Sequence, residues 1–270
     1  MSIEQRGRMP LDYNPVVLPG SALRFRGPLA TDRQPSIVCI GGSETFGRFI
    51  DAPFPAQLNE HSDQPVINLG VMNAGLDVLM TDHAILGALD DAEAVILQII
   101  SAHNMSNRFY TVHPRRNDRF LKASTMLRTI YPQVDFTEFN FTRHMLTQLH
   151  ELSPDRFEIV RNELEAAWTA RMIRFLGQVS APVHLLWLSN RSPDAEESGD
   201  MSTDPLFVSP KMLDSVARYA NSLTVVTPDA VQAPDDLQGK FFGPKEEAAA
   251  RLLPGPKLHA LATEELLRKL

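Results

Sequence analysis

Ser36-Ile-Val-Cys-Ile-Gly-Gly-Ser43 is a short, largely β-branched run that stops at two glycines. Branched side chains fill a pleated surface and glycine accepts the backbone angles of a tight exit, so the run reads as a buried strand turning sharply into a loop. Outward from it the pattern repeats. Phe54 to Glu60 has a helical pattern, Pro65-Val-Ile-Asn-Leu-Gly70 is a second strand, Leu76 to Leu89 reads as one helix, and Ala94-Val-Ile-Leu-Gln-Ile-Ile100 is a strand apolar on both faces. Pro182-Val-His-Leu-Leu-Trp-Leu188 and Ser222-Leu-Thr-Val-Val226 add a fourth and a fifth. Continuous apolar strands alternating with helices predict a parallel sheet covered on both sides, hence a three-layer α/β/α sandwich with five strands.

Residues 1–35 hold five prolines and little periodicity, which predicts an extended lead-in lying across the domain of residues 36–270 and carrying no chemistry. About 80 residues separate the third and fourth strands, too many for one crossover helix. Three helical patterns fill them: Asp118 to Thr129, Thr137 to Leu152, and a long one opened by the cap Ser153-Pro154-Asp155. The long one serves as the crossover, and the region at about 105–152 is expected to be a helical insertion. Asp194 to Asp200 reads as a solvated loop.

The chain of 270 residues is 43% hydrophobic and 22% charged, enough to bury a full core. Its 26 Lys plus Arg against 33 Asp plus Glu leave a net charge of -7, which argues against a general nucleic-acid binder. The single Cys39 excludes an internal disulfide framework and a cysteine-rich zinc site. The apolar runs fall far short of the ~20 residues of a membrane span, and no apolar stretch follows Arg6 and Arg8, so a cytoplasmic protein with no membrane partner is expected. Oligomeric state is not legible. No His-Glu-x-x-His, close His/Cys cluster or dinucleotide-type glycine motif occurs, so no metal and no cofactor is expected. Gly42-x4-Gly47-Arg48-Phe49 lacks the Lys and Ser/Thr of a phosphate loop.

In open parallel sheets ligands gather beyond the carboxyl ends of the strands. After the first strand stands Ser43; after the second, Asn68-Leu-Gly70-Val-Met-Asn73-Ala-Gly75; after the third, Ser101-Ala-His-Asn104; near the C-terminus, Pro254-Gly-Pro-Lys-Leu-His259 opens a helix. A hydroxyl, glycine-turn NH groups, an amide and an imidazole are the set that acyl transfer uses: nucleophile, oxyanion donors and base. Each also has a bland reading. Gly-Gly-Ser is a generic turn, and His103 and His184 read as packing or loop residues.

These blocks resemble the SGNH (GDSL-type) hydrolases, whose fold is flavodoxin-like, and in particular an uncharacterised branch of unknown function in which Gly-Gly-Ser-Glu-Thr-Phe-Gly occurs with Asn-Arg-Phe-Tyr-Thr-Val-His-Pro-Arg-Arg-Asn-Asp. The resemblance covers Ser36 to Leu270 in block order. It implies Ser43 as nucleophile, His259 as base, Asn104 as oxyanion donor with Asn107 as fallback, and backbone donors in the Gly70, Asn73, Gly75 region. The chain departs from the family at Gly42 and Pro256, where Asp is usual, and at Ala102 and Met105. With Pro256 there, a carbonyl of the Pro254–Lys257 turn or an acid from another loop would have to orient the imidazole.

Asn107 to Arg119 puts four arginines and a histidine within thirteen residues. Asn107, Arg108, His113, Arg115 and Arg116 are therefore candidates for holding an anionic substrate or carrier group. The equal alternative is that Arg108 and Arg119 pair with Asp or Glu and staple the insertion. The sequence thus points to a serine-dependent ester hydrolase or acyltransferase acting on a small ester or O-acylated sugar. The rivals are a non-catalytic protein binding an anionic ligand through the arginine loop, and a group transferase acting on a glycan.

Overall fold

The computed structural model describes residues 10–29, 36–195, 201–228 and 237–270. In chain order these form β1 (Ser36–Gly41), α1 (Ser43–Phe46), α2 (Phe54–His61), β2 (Val66–Gly70), α3 (Leu76–Thr81), α4 (His83–Asp90) and β3 (Ala92–Gln98). There follow β4 (Tyr110–His113), β5 (Arg116–Ala123), α5 (Thr125–Ile130), a single 3-10 turn at Phe136–Glu138, α6 (Thr142–Leu152) and α7 (Pro154–Leu176). The chain ends with β6 (Val183–Leu188), α8 (Pro210–Ala217), β7 (Ser222–Val226), α9 (Glu247–Leu252) and α10 (Pro256–Leu267).

The main sheet is five-stranded, in the order β2-β1-β3-β6-β7 with every pairing parallel. Successive side chains of a strand point to opposite faces, and both faces are apolar. Val38, Ile40, Val95, Leu97, Leu185 and Trp187 pack with Leu79, Ile85, Leu164, Trp168 and Val216 from α3, α4, α7 and α8. Ile37, Cys39, Ile96, Leu186 and Leu188 pack with Phe54, Leu58, Leu258, Ala262 and Leu266 from α2 and α10. The fold is therefore the three-layer α/β/α sandwich. Burial pushes the Cys39 thiol up, out of reach of ionisation. The chain runs from β1 outward to β2 and then crosses back to β3, so the strand order reverses beside β1, where open sheets leave a crevice.

Three local expectations are corrected. Leu76 to Leu89 is two helices, because Asp82 leaves helical geometry and its carboxylate caps the NH groups of Ala84 and Ile85. Asp118 to Thr129 is not one helix: residues 116–123 pair antiparallel with residues 110–113 as the hairpin β4–β5, and the helix starts only at Thr125. The turn at Pro114 reverses the chain, and His113 Nδ1 accepts from the Arg115 and Arg116 NH groups, both at 3.2 Å. The insertion thus mixes a hairpin with helices. The second helix begins at Thr142 rather than Thr137. The crossover α7 opens on its Ser153 cap, whose hydroxyl accepts from the Arg156 NH.

Residues 10–29 of the lead-in are extended and tied to the sheet by Leu23 and Phe25, both buried. The Arg26 guanidinium donates to the carbonyls of Gly47 and Ile50, both at 2.8 Å, and Tyr13 stacks edge-on against Phe46. This segment buttresses the turn that follows Ser43. The rest of the lead-in, with Arg6 and Arg8, and residues 196–200 of the expected loop lie outside the described residues.

Candidate active site

The turn after β1 is held by one side chain from the neighbouring strand. Gln98 Oε1 accepts from the Gly42 NH at 2.9 Å, the Thr45 NH at 3.1 Å and the Thr45 hydroxyl at 2.6 Å. Its Nε2 donates to Glu44 Oε2 at 2.7 Å. A Cβ on Gly41 would come within 2.5 Å of that amide oxygen, which is why the strand must end in glycine here. From the other side, Asn68 Nδ2 donates to the Thr45 carbonyl at 2.9 Å. Gly70 packs so closely under α1 that an added Cβ would lie 2.3 Å from the Phe46 nitrogen.

Seated this way, Ser43 Oγ accepts from the Asn73 NH at 3.1 Å and can donate to Asn73 Oδ1 at 3.3 Å. Asn73 reaches it from a left-handed conformation, φ 56°, which asparagine tolerates better than most residues. Asn104 comes from the loop after β3. The Thr142 hydroxyl donates to its Oδ1 at 2.8 Å, which leaves Nδ2 as the end of the amide without an acceptor among the described residues. Gly75 lets the two loops meet, since a Cβ there would stand 1.4 Å from the Asn104 carbonyl oxygen.

Ser43, Asn73 and Asn104 open into one cavity of about 550 Å³. Its titratable or charged lining comprises Glu44, Arg48, His103, Asp118, Arg143, His144 and Asp204, and an apolar flank is formed by Phe141, Ala249, Leu252 and Leu253. Lys240 Nζ donates to the Ala250 and Leu253 carbonyls at 2.7 and 2.6 Å and fixes that flank. At the other end Arg143 Nη2 donates to both oxygens of Asp204, at 2.8 and 2.7 Å, and the Ser101 hydroxyl also donates to this carboxylate.

These neighbours set the protonation states. Burial, and next the Asp204 carboxylate, push the Glu44 carboxyl up to about 7, against the opposing pull of Gln98 and Arg143. Burial raises Asp204 as well, but Arg143, His103 and Ser101 outweigh it and hold that group below its ordinary value. Asp118 is raised by burial. His103 is pushed down to about 3 by burial and by Arg143, with Asp204 opposing, so its imidazole is neutral.

The imidazole of His259 is taken up in interior packing. It is buried in the α2–α10 layer, stacked on Phe54, and its Nδ1 accepts from the Phe54 NH at 3.2 Å. It is not among the described residues that line the cavity. An unprotonated Nδ1 places the ring hydrogen on Nε2, the reverse of the tautomer a general base at Nε2 requires. Burial, with Lys240 and Arg26 adding to it, pushes His259 down to about 3. Folding therefore favours the neutral ring. The stability that this contributes is complete above about 6.5, the ordinary value, and is lost as the pH falls toward 3. His103 acts with the same sign. Unfolding midpoints measured across this window should fall with acid, and less steeply in His259→Gln, which keeps an acceptor for Phe54. An identical slope in the variant would count against the interior role.

Two of the candidate backbone donors are also taken. The Gly70 NH donates to Asn68 Oδ1 at 2.9 Å and the Gly75 NH to the buried Asn117 Oδ1 at 3.0 Å. Of that group Asn73 alone presents its NH to Ser43. The five candidates of the arginine stretch do not line the cavity either. Asn107 Oδ1 caps the Phe109 and Tyr110 NH groups, and Arg108 is ion-paired with Glu163. His113 caps its own turn, with Arg115 and Arg116 exposed at the tip. Arg119 lies over the Phe141 ring at 4.1 Å. The arginines that do reach the cavity, Arg48 and Arg143, are residues the sequence reading passed over, as it did Glu44, Gln98, Thr142 and Asp204.

A serine held at the carboxyl end of the first strand, facing a crevice shared with an asparagine amide, defines an α/β protein with a strand-end cavity. The chain belongs to the family described as "Domain of unknown function (DUF6473)", which matches residues 1–270. No curated protein matches it. Among solved structures, a lipase from a goat rumen metagenome is similar at 13% identity over 87% of this chain and 97% of its own, with a TM-score of 0.47. Two catalytic mutants of an acetylxylan esterase from Geobacillus stearothermophilus are similar at 13% and 14% identity. Each match covers 88% of this chain and 96% of the other, with TM-scores of 0.38 and 0.40. Among the described residues, no helix is long and apolar enough to cross a membrane.

Proposed function

We propose that the protein is a serine-dependent ester hydrolase or acyltransferase for small esters, with its proton acceptor in the cavity wall rather than on the C-terminal helix. The observation that carries this reading is the Ser43 hydroxyl, fixed by the Asn73 NH at the opening of a cavity that also takes the Asn104 amide. Glu44 is the proton acceptor. Its carboxyl lines the same cavity, one oxygen is held by Gln98, and its pKa near 7 suits a group that must both take and return a proton.

In this mechanism Ser43 Oγ attacks the ester carbonyl carbon while its proton passes to the Glu44 carboxylate. The oxyanion accepts from the Asn73 NH and from Asn104 Nδ2, with the Ser43 NH at the start of α1 as a third donor. The carbon–oxygen bond to the alcohol breaks and Glu44 returns the proton to the departing oxygen. Water, or an acceptor alcohol, then loses a proton to Glu44 and attacks the acyl carbon, and Ser43 leaves with the proton restored.

A fluorophosphonate probe tests the reading. One adduct on Ser43 is expected; no adduct while small esters still bind would favour a binding protein without chemistry, the rival suggested by an interior His259. Because the carboxylate is the active form of Glu44, the labelling rate should climb as pH rises through about 7. In Glu44→Gln the step should vanish and the rate fall about 10²–10⁴-fold. An unchanged profile would remove Glu44 from the mechanism.

A further inference from the structure

We propose, resting on the esterase reading above, that His103 and Asp204 form a subsite for a hydroxyl group of the substrate, so that the preferred esters are uncharged and hydroxylated. Five described side-chain atoms are buried without a hydrogen-bond partner, and only His103 Nδ1 belongs to a residue lining the cavity. A buried polar atom left unpaired is costly and rare, and on a residue of the cavity wall it leaves a hydrogen-bonding capacity that a bound ligand can complete.

The position is built rather than loose. The Tyr110 hydroxyl donates to the His103 carbonyl at 2.6 Å, the Ala102 NH donates to the Leu206 carbonyl at 2.9 Å, and Thr142 holds Asn104 beside it. Asp204 is fixed by Arg143 and Ser101, yet its side chain keeps 38% of its surface accessible, so lone pairs remain for a ligand. His103, Arg143 and Asp204 line the same cavity, and Asp204 accepts from Ser101, two residues before His103.

A neutral imidazole nitrogen either donates or accepts, and a carboxylate only accepts. A hydroxyl satisfies both at once: it donates to Asp204 and completes either tautomer of His103. Charge argues in the same direction. The two arginines of the cavity are each paired with a carboxylate, Arg143 with Asp204 and Arg48 with Glu246 at 3.1 Å, while Glu44 and Asp118 add further negative groups to the wall. Among the described residues an anionic ester finds no unpaired arginine or lysine there, which turns the anionic substrate expected from the arginine stretch into a disfavoured one.

The test compares three acetyl esters of similar ring size: a mono-O-acetylated methyl glycoside, cyclohexyl acetate, and a mono-O-acetylated methyl glucuronoside. The glycoside should exceed cyclohexyl acetate at least tenfold in kcat/KM, with the glucuronoside slower than the glycoside. In His103→Leu the ratio of glycoside to cyclohexyl acetate should drop about tenfold, the effect of one lost hydrogen bond with a buried partner left unpaired. His103→Asn, whose amide reaches the place of Nδ1, should keep most of that ratio, which separates recognition from misfolding. Ser43-dependent turnover with a ratio near one, or a ratio unmoved in His103→Leu, overturns the subsite and leaves the esterase reading standing. Absence of Ser43-dependent turnover on all three esters overturns both.

Discussion

Ser43→Ala is expected to lower kcat on a small ester by about 10⁴-fold or more, with KM little changed. Removing Oγ deletes the atom that forms the covalent bond, and four decades of rate correspond to about 5 kcal/mol of barrier. The cavity itself should survive. Ser43 is a single-turn helix residue whose hydroxyl hydrogen-bonds, among the described residues, only with Asn73, while Gln98, Asn68 and Gly70 seat the turn through other atoms. Steady-state kinetics on the folded variant, with substrate binding followed by NMR line broadening, measures both effects. A loss below about tenfold would show that the serine is a structural hydroxyl.

Gly75→Ala should have the largest effect on folding. The residue is extended, with φ −113° and ψ 177°, so the glycine is not there for its backbone freedom. It is there because the Asn104 carbonyl occupies the place of a side chain, 1.4 Å from where Cβ would stand. Neither partner can step aside. The Gly75 NH is tied to Asn117, and Asn104 is tied through Thr142 to α6. Overpacking of an ordinary core costs about 1–3 kcal/mol, and a clash between two pinned backbones should exceed it, at about 4 kcal/mol or more. Thermal unfolding should shift down by roughly 10 °C in a chain of this size, or the variant should fail to accumulate folded. A midpoint within about 2 °C of the parent would mean that the loops slide apart freely. Preorganisation of Asn104 against Ser43 would then lose its basis.

The sheet was legible because its strands are apolar on both faces, a pattern local enough to read from runs such as Ser36 to Ile40 or Val183 to Leu188. The strand-end rule then brought Ser43 and Asn104 to one crevice. The machinery that holds them was not legible, because its partners are distant: Gln98 bonds to Gly42 and Thr45 across more than fifty residues of chain. A weak signal existed, since Gln98 is the lone polar residue in an otherwise apolar strand end. Asp204 gave none, because its pairing with Arg143 depends on how the loop after β6 meets α6.

His259 shows how a local signal was overridden. Leu258, Ala262 and Leu266 form the buried stripe of α10, and residue 259 belongs to the same face by helical spacing. Periodicity alone marks it as interior; the resemblance to the SGNH blocks is what implies a base there. The arginine stretch went astray similarly. Its spacing is that of a hairpin with a turn at Pro114, which turns Arg115 and Arg116 outward and leaves Arg108 to Glu163.

Trapping of the covalent intermediate tests the account most directly. Rapid acid quench of the protein with p-nitrophenyl acetate, followed by intact mass and peptide mapping, should show one acetyl group on Ser43. The acetyl group should form at a similar rate in His259→Gln and far more slowly in Glu44→Gln. Acetylation that is absent, maps elsewhere, or collapses in a folded His259→Gln while persisting in Glu44→Gln would contradict it.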